Sequence, residues 1–220
     1  MHRAELNDGG VWVTNQEEHA IGRQNMPVEQ LDAYVDAGAN ALPDVLQDGS
    51  AVVSVDGSVL TPVNVATGRA VPDSAVNAAG PASLAGGSLA AVDPDKGTVW
   101  ATRVDADGGV PSLSELNAES DPRAAVGADA KVLASTTGTV YAASGATGKV
   151  VEMVPKGTGF AKAAAVAVEK PKGGVAGITA VGGTPVVLDG TGRLLIPGTG
   201  AVELADATAV KEGQVLLQQP

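Results

Sequence analysis

The chain of 220 residues contains no cysteine. Disulfides, thiolate metal sites and cysteine nucleophiles are therefore excluded. Aromatic residues are nearly as scarce, being limited to Trp12, Tyr34, Trp100, Tyr141 and Phe160. With 44% hydrophobic residues a core has to be built mainly from Val, Ala and Leu. Such small side chains suit sheets that pack face to face around a crowded axis. Positive charge is also short, with 14 Lys and Arg against 25 Asp and Glu and a net charge of −11. Nucleic acid is excluded as a partner, because binding there rests on neutralising phosphates with Lys and Arg. An anionic membrane surface is excluded on the same ground, so no membrane contact is expected from this segment itself. No stretch of 18 apolar residues exists to span a bilayer. Met1 to Gly10 is short and polar and lacks the apolar centre of a signal peptide. If the protein is exported, its targeting segment is expected to lie outside this chain.

What is present is a phrase that recurs. An apolar anchor, two small or polar residues and a glycine-type turn precede a short β-rich run. The anchors are Leu6, Leu46, Leu84, Val126, Val181 and Val210, separated by 40, 38, 42, 55 and 29 residues. A second phrase, glycine followed by a β-prone run, begins at Gly57, Gly97, Gly138 and Gly192. Asp56-Gly57 is a strong hairpin signal, because type I′ turns need φ > 0 at both central residues. A repeat near forty built from short strands predicts an all-β fold, a β-propeller or propeller fragment with about five four-stranded blades and a truncated sixth. A β-sandwich or a β-solenoid is the alternative. The units fall near 4–43, 44–81, 82–123, 124–178 and 179–207, with a partial one at 208–220, which reads as a piece of a longer multidomain protein. The anchor segments are expected to form the innermost strand of each blade. The 55-residue step predicts an insertion around Thr158–Gly174. Within it, Ala161–Glu169 reads as either a short helix or an outer strand. Pro27–Val35 reads as the outer strand and loop of the first blade.

Several residue groups are candidates for chemistry. Glu17, Glu18 and His19 would make a metal or acid–base group, but they fit a solvated turn better, and the other histidine, His2, is terminal. Asp93-Pro94-Asp95 and Asp105-Ala106-Asp107-Gly108-Gly109 resemble fragments of calcium loops, yet no Glu follows at the offset calcium needs, and acidic residues serve Asp-Gly turns on their own. Gly145-Ala146-Thr147-Gly148-Lys149 fails as a phosphate loop, since its first glycine is misplaced and Val150 follows the lysine. Glu115 and Glu119 are a possible carboxylate pair in Ser112–Pro122, which reads as a polar blade-to-blade connection. Trp12 and Trp100 are expected to pack between blades rather than stack a ligand. No catalytic, metal or cofactor-binding residue is assigned, and no cofactor is expected.

The run Asp8-Gly9-Gly10-Val11-Trp12-Val13-Thr14-Asn15, with Ile21-Gly22-Arg23-Gln24-Asn25, Gln30-Leu31-Asp32 and the closing Leu217-Gln218-Gln219-Pro220, is similar to one protein type. It resembles the extracytoplasmic β-propeller region of large actinobacterial surface proteins that carry fibronectin type III or immunoglobulin-like modules. The resemblance implies an extracellular setting, anchored to the membrane through a segment absent from this chain, and a role in adhesion or binding. It supplies no catalytic residues. The expected function is therefore a non-catalytic cell-surface module or scaffold for a protein or polysaccharide ligand. The alternative is a propeller enzyme, of glycoside hydrolase or lyase type, with a site at the central channel. Such an enzyme should gather His, Asp, Glu, Arg or Tyr at equivalent loops, whereas these loops are mostly Gly, Ala, Ser, Thr and Asp.

Overall fold

A computed structural model of the chain describes residues 10–25, 29–36, 43–104 and 110–204. Five antiparallel sheets follow one another. The first holds β1 (Gly10–Asn15), β2 (Ala20–Asn25) and β3 (Gln30–Asp36). The second holds β4 (Asp44–Asp48), β5 (Ala51–Asp56), β6 (Val59–Asn64), β7 (Arg69–Ala70) and β8 (Val76–Asn77), the last two both pairing with β6. The third holds β9 (Ala82–Ala85), β10 (Ser88–Val92), β11 (Thr98–Arg103) and β12 (Ala124–Ala125). The fourth holds β13 (Ala130–Ala134), β14 (Val140–Ser144), β15 (Lys149–Met153) and β18 (Ala164–Ala167), with a small hairpin of β16 (Pro155–Lys156) and β17 (Gly159–Phe160) inserted before its last strand. The fifth holds β19 (Val175–Val181), β20 (Thr184–Asp189), β21 (Arg193–Ile196) and β22 (Gly200–Glu203). This is a β-propeller arrangement, as the repeat predicts. The partial unit at 208–220 and the anchors Leu6 and Val210 lie outside the described residues.

The first strands of neighbouring sheets adjoin one another, β4 against β9, β9 against β13 and β13 against β19, and so stand nearest the axis. β10 meets β13 and β14 meets β19, and in the same way β1 meets β4. The three described strands of the first sheet thus occupy the positions of second, third and fourth strands elsewhere.

Period-2 alternation explains the packing. A second strand is covered on both faces, so every residue of β10 and of β14 is buried. Alternate side chains of one strand then feed two different cores. Leu89 and Ala91 enter the cluster between the second and third sheets, while Ala90 and Val92 enter the cluster between the third and fourth. Val140 and Ala142 join that same cluster, and Tyr141 and Ala143 join the one between the fourth and fifth sheets. A fourth cluster of Trp12, Ile21, Val35, Val52 and Val63 joins the first sheet to the second. Trp12 and Trp100 are both buried in these seams, and the Trp100 indole donates to Ser120 O at 2.9 Å. Packing between blades is therefore what both tryptophans do.

Each seam also carries side-chain clasps onto the next sheet's backbone. Gln47 accepts from Trp12 N and donates to Gly10 O, both at 3.0 Å. Asp48 accepts from Gly87 N at 2.6 Å. Ser83 accepts from Ala134 N, and Ser88 donates to Gly138 O at 2.6 Å. Asp129 accepts from Val175 N, and Tyr141 donates to Gly183 O at 2.6 Å. These bonds satisfy backbone groups of turns and exposed strand edges that lack a partner in their own ladder.

Four sequence readings change. Val126 lies before β13, not in an innermost strand, whereas Leu46, Leu84 and Val181 lie inside β4, β9 and β19. Gly138 turns from first to second strand, while Gly57, Gly97 and Gly192 turn from second to third, so the glycine phrase is out of phase in the fourth unit. Ser112–Pro122 connects β11 to β12 within the third sheet and buries Leu113 and Leu116, so it is neither a blade-to-blade connection nor wholly solvated. The extra length in the fourth unit is the β16–β17 hairpin, whose Phe160 packs on the seam between the third and fourth sheets. Ala161–Glu169 contributes an outer strand, β18, and Pro27–Val35 overlaps β3, the outer strand of the first sheet.

Candidate functional site

In a sheet of this order, the turns after second strands and the connections between sheets come out on one face. In four of the five sheets the sequence marks this face with a short polar residue at the end of the second strand or just after it, where it caps its own turn. Asn15 accepts from Glu17 N and Glu18 N at 3.1 and 3.2 Å. Asp93 accepts from Asp95 N and Lys96 N, each at 3.0 Å, and pairs with the Lys96 ammonium at 3.3 Å. The bond from Lys96 N is foremost in holding the Asp93 carboxyl below its ordinary range. Ser144 accepts from Ala146 N at 2.9 Å.

Asp189 carries the most elaborate version. It accepts from Thr191 N and the Thr191 hydroxyl, from Arg193 N, from Lys172 N and from the Arg193 guanidinium at 2.9 and 2.7 Å. Burial pushes this carboxyl up. The bonds from Lys172 N, Arg193 N, Thr191 and the guanidinium outweigh that and hold it at about 2. Arg193 reaches on to Glu169 at 3.3 Å, and Glu169 accepts from Ala201 N. Its guanidinium is raised first by the bond to Asp189. All the bonding directions of Asp189 are spent on holding the turn and the incoming connection, so the network is a clamp and not a reactive centre.

The candidate groups of the sequence fall apart in space. Glu17 and Glu18 are exposed in the β1–β2 turn that His19 ends with φ +51°. Asp93 and Asp95 belong to the capped turn just described, and Asp105–Gly109 lies outside the described residues. Gly145–Lys149 is the β14–β15 turn, strand to strand. Glu115 pairs with Arg123 at 2.7 Å, and Glu119 N donates to the Asn117 side chain. Among the described residues no group of three or more His, Cys, Asp and Glu is placed to hold a metal.

An open space remains on this face where the second and third sheets meet. It is a cleft of about 390 Å³ lined by Asp44, Leu46, Val55, Gly57, Gly80, Pro81 and Ala82. Asp44 opens β4 and faces Val55 across the β4–β5 ladder, which sets the carboxylate at the mouth. Leu46, Val55 and Ala82 rest on the seam's apolar cluster and form the walls. Gly80 is pressed against the third sheet: a Cβ there would run into Val92 O and lie 2.9 Å from the Pro94 ring. Gly57 stands at φ +58° with nothing within 4 Å of where a Cβ would be, so the space above it is open. Asp44 Oδ1 accepts from Val45 N at 2.8 Å, and no described cation pairs with its carboxylate. The cleft escaped sequence reasoning because its residues are ordinary and come from separate strands. The signals available were Asp44 and Gly80-Pro81, each at the entry to a first strand.

No family model and no curated protein matches the chain. Solved structures do. Hsv2 from Kluyveromyces lactis aligns over 98% of this chain and 65% of its own, with a TM-score of 0.61 and 13% identity. The dihydro-heme d1 dehydrogenase NirN, in complex with DHE, aligns over 93% and 45%, with a TM-score of 0.57 and 13% identity. The virginiamycin B lyase of Staphylococcus aureus, solved with quinupristin, aligns over 90% and 68%, with a TM-score of 0.54 and 12% identity. The chain spans less than two thirds of that Hsv2's length. At these identities the likeness is to the β-propeller fold alone, which carries unrelated functions.

Proposed function

We propose that the chain is a non-catalytic binding module that presents its loop face to a protein or polysaccharide at a cell surface. The observation that carries this reading is the lining of the cleft: apolar walls with a single titratable side chain, Asp44. Acid–base and nucleophilic catalysis need at least two positioned groups, whereas binding needs a concave apolar surface and a polar anchor. The other buried polar groups of this face, Asp93, Asp189 and Arg193, are engaged in holding turns. The acidic surface agrees with a soluble domain that works by contact rather than by non-specific adsorption.

The test is a glycan array together with capture of surface proteins, using the whole chain as bait. Saturable binding without turnover of the bound ligand is the expected result. A reproducible hydrolytic or eliminating activity that one carboxylate substitution abolishes would overturn the reading in favour of the propeller-enzyme alternative.

A further inference from the structure

Resting on the binding-module reading, we infer that the cleft between the second and third sheets seats a basic side chain of an extended, partly apolar peptide segment of a partner protein. Three observations converge. The walls of Leu46, Val55, Pro81 and Ala82 offer a lining for a hydrocarbon stem, and Asp44 at the mouth offers a carboxylate for its charged end. Lys and Arg have that build, an aliphatic stem carrying a cation.

The second observation is the charge around the opening. Asp56 lies between Val55 and Gly57 of the lining, and Asp95 follows Pro94, which packs on Gly80. Asp44, Asp56 and Asp95 are all exposed, and none is ion-paired among the described residues. The Lys96 ammonium in the same turn is paired with Asp93, so the rim keeps a net negative charge. A cleft with low-dielectric walls and such a rim focuses the field and draws in the opposite charge.

The third is the chemistry the cleft does not offer. A neutral sugar needs several directed hydrogen-bonding groups or an aromatic platform. The lining holds one polar side chain and no aromatic ring. An apolar ligand without charge would leave Asp44 desolvated and without a partner, which is unfavourable. The volume of about 390 Å³ exceeds one side chain, so a neighbouring apolar residue of the same segment enters with it.

The test is fluorescence polarisation of the whole chain with a labelled, alternating Lys-Val peptide. The Glu-Val counterpart and a neutral oligosaccharide are the other arms, each at low and high salt. Saturable binding of the Lys-Val peptide that weakens with salt is expected, with no binding of the Glu-Val peptide. Asp44→Asn weakens it about fivefold, the effect of an exposed charge pair of about 1 kcal/mol. Asp44→Lys abolishes it, and Asp73→Asn, an exposed acid away from the cleft, leaves it unchanged. Asp44→Asn and Asp44→Lys variants that fold and bind like the parent overturn the inference, as does equal binding of the Glu-Val peptide. Oligosaccharide binding without peptide binding sinks this inference and leaves the binding-module reading standing. Turnover of the oligosaccharide sinks both.

Discussion

The seam between the fourth and fifth sheets and the seam between the second and third are built from the same kind of strand but finish differently at the loop face. At the former, Asp129 holds Val175 N, and Asp189 with Arg193 and Glu169 ties the turn to the incoming connection. At the latter, the apolar core runs from Leu113 and Trp100 up to Leu46 and Val55, and above them the cleft is left open with a carboxylate that no described cation pairs. Polar residues on a propeller face are therefore of two kinds. Those that close their bonds within the frame give rigidity, and those that leave them open are available to a ligand.

Substitutions break or sharpen this contrast. The largest expected effect is Asp189→Ala, which leaves the buried Arg193 without its main partner and costs about 4 kcal/mol in chemical denaturation. The same carboxyl predicts a pH dependence. Its folded value of about 2 lies below the ordinary 3.8, so its contribution is present above the ordinary value and is lost as pH falls from about 4 towards 2. In Asp189→Ala the stability–pH curve flattens in that window; an unchanged acid limb would show that the clamp does not act through its charge.

Next come two glycines in the same kind of turn. Gly97 has φ +70°, and a Cβ there would strike the Gly127 backbone, so Gly97→Ala costs about 3 kcal/mol. Gly57 has φ +58° but open space, so Gly57→Ala shows only the left-handed strain of about 1 kcal/mol. Equal losses at the two positions would mean that strain alone, and not the close approach of the connection to the next sheet, sets the cost. Tyr141→Phe removes the bond to Gly183 O and lowers stability by about 1 kcal/mol. Asp44→Asn is the smallest, within about 0.5 kcal/mol, because among the described residues its carboxylate accepts only from the N–H of Val45 beside it. A large loss there would place Asp44 with the clamps instead of with the cleft.

The repeat and the strand character were legible because hairpins demand glycine at positive φ, as at Gly57, Gly97 and Gly192, and because valine-rich runs sit between them. The phase of the repeat was not legible throughout. Gly138 also has positive φ, and Ser135 stands three residues before it much as Asp189 stands three before Gly192, so a first-to-second turn imitates a second-to-third turn. Leu113 and Leu116, three apart in a polar stretch, were the sign that Ser112–Pro122 packs as well as connects. The capping residues were read correctly as turn formers at Asp93, while the clamp at Asp189 was invisible because Arg193, Glu169 and Lys172 meet only after folding. The cleft was invisible for a similar reason. Its walls are hydrophobic residues like any others, and only the meeting of two sheets makes them concave.

The side chains of β10 and β14 are divided between neighbouring clusters, so the described residues form no single centre but four separate cores in series. Its stability then behaves like that of a chain of links, each coupled to the one before and the one after. Damage at Asp189 is felt at the fourth and fifth sheets and fades before the second. A ligand seated between the second and third sheets, in turn, tightens that joint first, and its grip reaches the other sheets only joint by joint.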